Sequence, residues 1–152
     1  FGSKDELLAE ALFGEIERRV RPALDRLASS EDPAAAMVDV VRELLAEFER
    51  SRRDTVVYLE ALLLATRDAA YRRRTLKLYR SIGRHLEALI VQLRADGVVP
   101  AWVDPAPMAS LVLAVANGIA LQTCIDTSGP RHDAMGAQFA GLLLAAGGTA
   151  PG

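Results

Sequence analysis

Four kinds of side chain in this sequence are of a type that does chemistry: a thiol at Cys124, imidazoles at His85 and His132, a carboxylate inside an apolar run at Glu60, and amides on an apolar helix at Asn117 and Gln122. Their spacing argues against catalysis. There is no Glu-x-x-His pair for a di-metal bundle, no Cys/His ligand cluster and no glycine-rich phosphate loop. The two histidines fall on different helical stretches, and no Ser or Cys stands in a nucleophile context. The sequence therefore predicts no enzyme, no metal site and no cofactor. Cys124 lies in an apolar helical run, where it reads as a buried, inert thiol.

What remains is a binding chemistry. Glu60 is the one charge in a run of Val56, Val57, Tyr58, Leu59, Ala61, Leu62, Leu63, Leu64 and Ala65. A buried carboxylate without a partner costs several kcal/mol or takes up a proton, so Glu60 pairs with an arginine, turns to solvent or faces a polar cavity. Asn117 and Gln122 need hydrogen-bond partners for the same reason. Apolar helical stripes with a few polar visitors are the usual make-up of a small-molecule pocket. The candidate ligand-binding residues are Phe13, Phe48, Tyr58, Glu60, Tyr79, Trp102, Asn117 and Gln122.

The elements that must position these residues are helices. The 152 residues suit one domain, and with 51% hydrophobic but only 5% aromatic residues the core must be built from Leu, Ala and Val. A net charge of −2 is unlike a free-standing nucleic-acid binder, which carries a basic excess. The lone cysteine excludes an internal disulfide framework, and without a signal peptide in the sequence the expected compartment is the cytoplasm.

Ser3 and Glu6 form a capping box, and Leu8, Leu12, Ile16, Val20 and Leu24 recur every fourth residue to about Leu27, so a helix with one buried face runs from Ser3 and kinks or breaks near Pro22. Asp32-Pro33 starts a second helix carrying Met37, Val40, Val41, Leu44, Leu45 and Phe48, and Asp54 caps a third, Thr55 to about Thr66, apolar almost all round and so central and buried. The fourth and longest runs from about Ala69 to Ala95 and stops at Gly97; Arg72-Arg73-Arg74 in its first turns reads as a solvated face paired with Asp68 and other acids. Asp104-Pro105 opens a fifth helix to about Ile125, and a sixth spans about Arg131 to Ala146 before a frayed tail from 147. The fold class is all-α, about six helices in an orthogonal bundle.

The last two helices carry more apolar and small-residue surface than one side of a monomer needs. They predict a homodimer in which two copies of the pair form a four-helix bundle, with Val112, Ala116, Ile119, Ala120, Thr123, Phe139, Leu142 and Leu143 as candidate interface residues.

The opening octet, Phe1-Gly2-Ser3-Lys4-Asp5-Glu6-Leu7-Leu8, resembles the junction of the tetracycline-repressor (TetR) family, where an aromatic-x-x-Lys-Asp/Glu-x-Leu run closes the helix-turn-helix domain and opens the first effector-domain helix. With the helical layout, the resemblance covers essentially the whole chain. It implies a repressor's effector-binding and dimerisation domain, with a small apolar effector, no membrane, and operator DNA reached only through an N-terminal domain upstream of Phe1. It also implies a two-state switch. One state spaces two DNA-binding heads for major-groove half-sites roughly 34–36 Å apart, and an effector preferring the other state about 100-fold supplies roughly 2.7 kcal/mol for the shift. The alternative is a stand-alone helical dimer that holds an apolar ligand and never had a DNA-binding head.

Overall fold

A computed structural model of the chain describes residues 4–32, 35, 36, 39, 52–126, 128 and 132–145. Among these residues five helices and no strands occur: α1 (Lys4–Ala28), α2 (Arg52–Ala65), α3 (Ala69–Ala95), α4 (Pro105–Ile125) and α5 (His132–Ala145). The expected capping box at Ser3, the body of the helix at 33–50 with Phe48, and the tail lie outside the described residues. Asp32 does act as the predicted cap, its carboxylate accepting from Ala35 N–H at 3.0 Å.

The hub is α3, which packs on α1, α2 and α4, while α5 rests on α4. Its ends are set by local chemistry. Asp68 Oδ1 accepts from the N–H groups of Ala70 and Tyr71 at 2.7 and 3.0 Å. At the other end Gly97 takes φ 73°, and Val98 N–H closes back on the Leu93 carbonyl at 2.9 Å, satisfying a carbonyl the helix would otherwise orphan.

Helices α1 and α3 run parallel in a heptad-like register. Arg74 pairs with Glu10, and seven residues further along both helices Ser81 Oγ donates to Glu17 Oε1 at 2.6 Å. Between and beyond these links sit two apolar clusters. Phe13, Tyr58, Ala61 and Leu78 form one; Ala23, Leu86, Leu89, Ile90, Leu93, Val99, Val103, Ala109 and Ala140 form the other, with Ile82 touching both. Burying Leu78 or Leu93 contributes about 2 kcal/mol each.

Helix α4 runs antiparallel to both α2 and α3. Arg52 Nη2 donates to the Cys124 carbonyl at 2.9 Å, where a cation also suits the helix C-terminus, and Arg94 Nη1 donates to the Val103 carbonyl at 3.2 Å. By length and composition α4 could cross a bilayer. One side, Ala109, Ile119, Ala120 and Thr123, is buried within the chain. The opposite side carries Leu111, Ala114, Gly118, Leu121 and Ile125 at helical spacing, and all but the half-buried Gly118 are exposed, Ile125 to 76%.

Several expectations need correction. The helix expected to be central and buried is not: α2 leaves Leu63 69% exposed and Val56 and Leu64 also open, because only its Thr55, Tyr58, Ala61 and Ala65 face is covered. It starts at Arg52, so Asp54 lies in its first turn rather than capping it. Helix α1 is continuous through Pro22, so of the expected kink or break there is no break. Arg72 does not pair with Asp68, whose carboxylate is occupied as a cap; its guanidinium donates to the carbonyls of Ala65 and Thr66 at the end of α2. Asp104 stands at the start of α4 without a side-chain cap bond, and Cys124 is half-buried.

Candidate functional site

Tyr58 on α2, Tyr79 on α3 and Asn117 on α4 converge where these helices meet. Tyr58 reaches inward on the covered face of α2, and its hydroxyl donates to Asn117 Oδ1 at 2.9 Å. Asn117 Nδ2 in turn donates to the Tyr79 hydroxyl at 2.7 Å. Burial, then the neighbouring Tyr79 phenol, hold the Tyr58 hydroxyl well above the ordinary phenol value of 10.0. The ring of Tyr58 meets that of Phe13 edge to face, centroids 6.4 Å apart at 82°, which is a favoured aromatic geometry. One continuous run of contacts therefore leads from Asn117 and Tyr79 through Tyr58 to α1.

This relay stands at one end of a cleft of about 560 Å³ between α3 and α4. The antiparallel pairing places Tyr79 and Asn117 at one end and Glu87 and Ala106 at the other. Its middle is opened by Gly83, whose missing Cβ would point into space with nothing within 4 Å, facing Leu113 and Ala109. Glycine inside a helix costs about 1 kcal/mol relative to alanine, and no turn or positive φ requires it at 83. Arg80 and Arg84 line the same cleft, and neither has a carboxylate partner among the described residues.

Of the eight predicted ligand residues, Phe13, Tyr58, Tyr79 and Asn117 are brought together in this way. Glu60 and Gln122 are exposed, and Trp102, 54% exposed, sits on the α3–α4 connection; none of the three lines the cleft. Phe48 lies outside the described residues. His85 is satisfied locally, with Nδ1 2.8 Å from the Ser81 carbonyl oxygen. Among the described residues no group of three or more His, Cys, Asp or Glu is arranged to hold a metal ion.

Of the predicted interface residues, Ile119, Ala120 and Thr123 are buried within the chain, Val112, Ala116 and Phe139 are half-buried, and Leu142 is 61% exposed. The side chain of Leu143 is outside the description. Sequence reasoning missed Arg80, Gly83 and Arg84. The available signal was a glycine in mid-helix flanked by two cations one turn apart, on the stretch that also carries Tyr79.

The family profile of the BetI-type transcriptional repressor C-terminal domain matches residues 33–145. The chain belongs to this TetR-type repressor family. The matched span holds Tyr58, Tyr79, Asn117 and the whole cleft, with Phe13 outside it. TetR-type C-terminal domains are regulatory rather than enzymatic; as a family they dimerise, and they meet operator DNA through a separate N-terminal domain. No curated protein and no solved structure matches the chain.

Proposed function

We propose that residues 1–152 are the effector-binding and dimerisation part of a cytoplasmic, ligand-responsive transcriptional repressor, and that the effector occupies the α3–α4 cleft. The observation that carries this reading is the Tyr58–Asn117–Tyr79 relay, which opens on the cleft at one end and touches Phe13 of α1 at the other. A ligand that hydrogen-bonds Asn117 or Tyr79 pulls on the relay, shifts Tyr58 and alters how α1 seats on α3. In the family layout α1 leads to the DNA-binding head. The shift extends only as far as the ligand's differential affinity for the two seatings allows.

The open stripe of Leu111, Ala114, Gly118, Leu121 and Ile125, together with Leu142 on α5, supplies the surface for a second copy. Gly118 has nothing within 4 Å of its missing Cβ, which allows two helices to approach closely there. Two α4–α5 pairs across a two-fold axis would make a four-helix bundle, an isologous interface.

A reporter assay on the full gene product tests the reading. Gly83→Leu fills the cleft, so repression should persist and no longer respond to any inducing compound. A Gly83→Leu protein that remains fully inducible would remove the cleft as the effector site. A full gene product that regulates no promoter yet binds small molecules would favour the stand-alone dimeric ligand carrier instead.

A further inference from the structure

We infer that the α3–α4 cleft selects a small amphipathic carboxylate, its head held by Arg80 and Arg84 and its apolar body lying over Gly83 against Ala109 and Leu113; this rests on the cleft being the effector site.

Donors outnumber acceptors along the cleft wall. Asn117 uses one N–H on Tyr79 and its carbonyl oxygen on Tyr58, so its second N–H has no acceptor among the described residues. Tyr79 accepts from Asn117, and its hydroxyl lies within hydrogen-bonding reach of that of Tyr58. Arg80 and Arg84, one helical turn apart, add two guanidinium groups with no ion pair among the described residues. The hydroxyl of Ser110 is turned back on its own helix, donating to the Ala106 carbonyl at 3.2 Å. Against these donors stands one anionic acceptor, Glu87, at the far end.

Solvent meets the donors of this open wall, so a ligand that displaces that water must bring acceptors in its place, and two guanidiniums without an ion pair among the described residues add a positive field. A carboxylate supplies two acceptor oxygens in a plane that matches the guanidinium fork. The second N–H of Asn117 then completes the head site. The remaining floor of Gly83, Ala109 and Leu113 offers only apolar contact, so the rest of the ligand must be apolar and thin enough to lie over a glycine. An ammonium head would meet donors on every side except at Glu87.

Calorimetric titration with three probes of one chain length, octanoate, 1-octanol and octyltrimethylammonium, tests this on the wild type, on R80Q/R84Q and on Gly83→Leu. Octanoate should bind at least about tenfold tighter than octanol, and octyltrimethylammonium weakest. R80Q/R84Q should erase the advantage of octanoate while leaving octanol unchanged. Gly83→Leu should abolish binding of both without lowering the melting temperature, since the helix gains a better helix former. If octanoate binds no tighter than octanol, if its advantage survives R80Q/R84Q, or if no probe binds at about 1 mM, the carboxylate assignment is wrong. The effector-site reading fails separately, when probe binding persists unchanged in Gly83→Leu.

Discussion

Replacing Asn117 by leucine should cost more stability than replacing either tyrosine hydroxyl, and the structure says by how much. Asn117 holds Tyr58 at 2.9 Å and Tyr79 at 2.7 Å. Tyr79 borders the cleft, so solvent takes over its lost bond at little cost. Tyr58 is 8% exposed, and its hydroxyl is left in the interior with only the neighbouring Tyr79 phenol, a penalty of about 1–3 kcal/mol. Asn117→Leu is therefore expected to lose about 2 kcal/mol, or about 4–8 °C in melting temperature for a chain of this size. Tyr58→Phe removes the same bond from the other side but strands only an amide oxygen beside the cleft, at about 1 kcal/mol. In the double variant no buried hydroxyl is left over, so the loss should fall short of the sum by about 1 kcal/mol or more. Equilibrium urea unfolding followed by circular dichroism at one fixed protein concentration measures all four corners, since a dimer's stability depends on concentration. Strict additivity, or a neutral Asn117→Leu, would refute the relay.

The raised affinity of Tyr58 for its proton has a defined pH consequence. Below the ordinary phenol value of 10.0 both states keep the proton and the contribution is fully present; as pH climbs past 10.0 the unfolded chain releases it first and stability falls, a slope that urea midpoints should show flattened in Tyr58→Phe. Gly97→Ala forces a β-carbon into φ 73° and should cost about 1 kcal/mol by thermal unfolding, with no change in probe binding. Leu121→Glu puts a charge in the middle of the open α4 stripe and should convert the proposed dimer to a folded monomer by light scattering; a dimer that persists would move the interface elsewhere.

Helix ends were legible where a short-range signal sets them: Asp32 caps Ala35, Pro105 opens α4 and Gly97 closes α3. The hub was not. Apolar content picked out α2, but periodicity tells which residues want cover and not which neighbour provides it, and α2 leaves Leu63 in the open. The site was half legible on the same ground. Tyr58, Tyr79 and Asn117 stood out as polar groups on apolar stripes. Glu60, two residues from Tyr58, points about 200° away around the helix and could not share its surroundings. Gln122, five residues from Asn117, is turned about 140° from it. Arg80 and Arg84 look like any solvated charges until Gly83 and α4 form a cleft beside them.

The central claim is that cleft occupancy reaches α1 through Asn117 and Tyr58, and amide hydrogen exchange tests it most directly. Exchange is compared with and without a compound that relieves repression, in the wild type and in Asn117→Leu. The account predicts altered protection both along the cleft and around Phe13 of α1 in the wild type, with the α1 change lost and the cleft change kept in Asn117→Leu. An α1 response of the same size in Asn117→Leu, or none in the wild type, would contradict it.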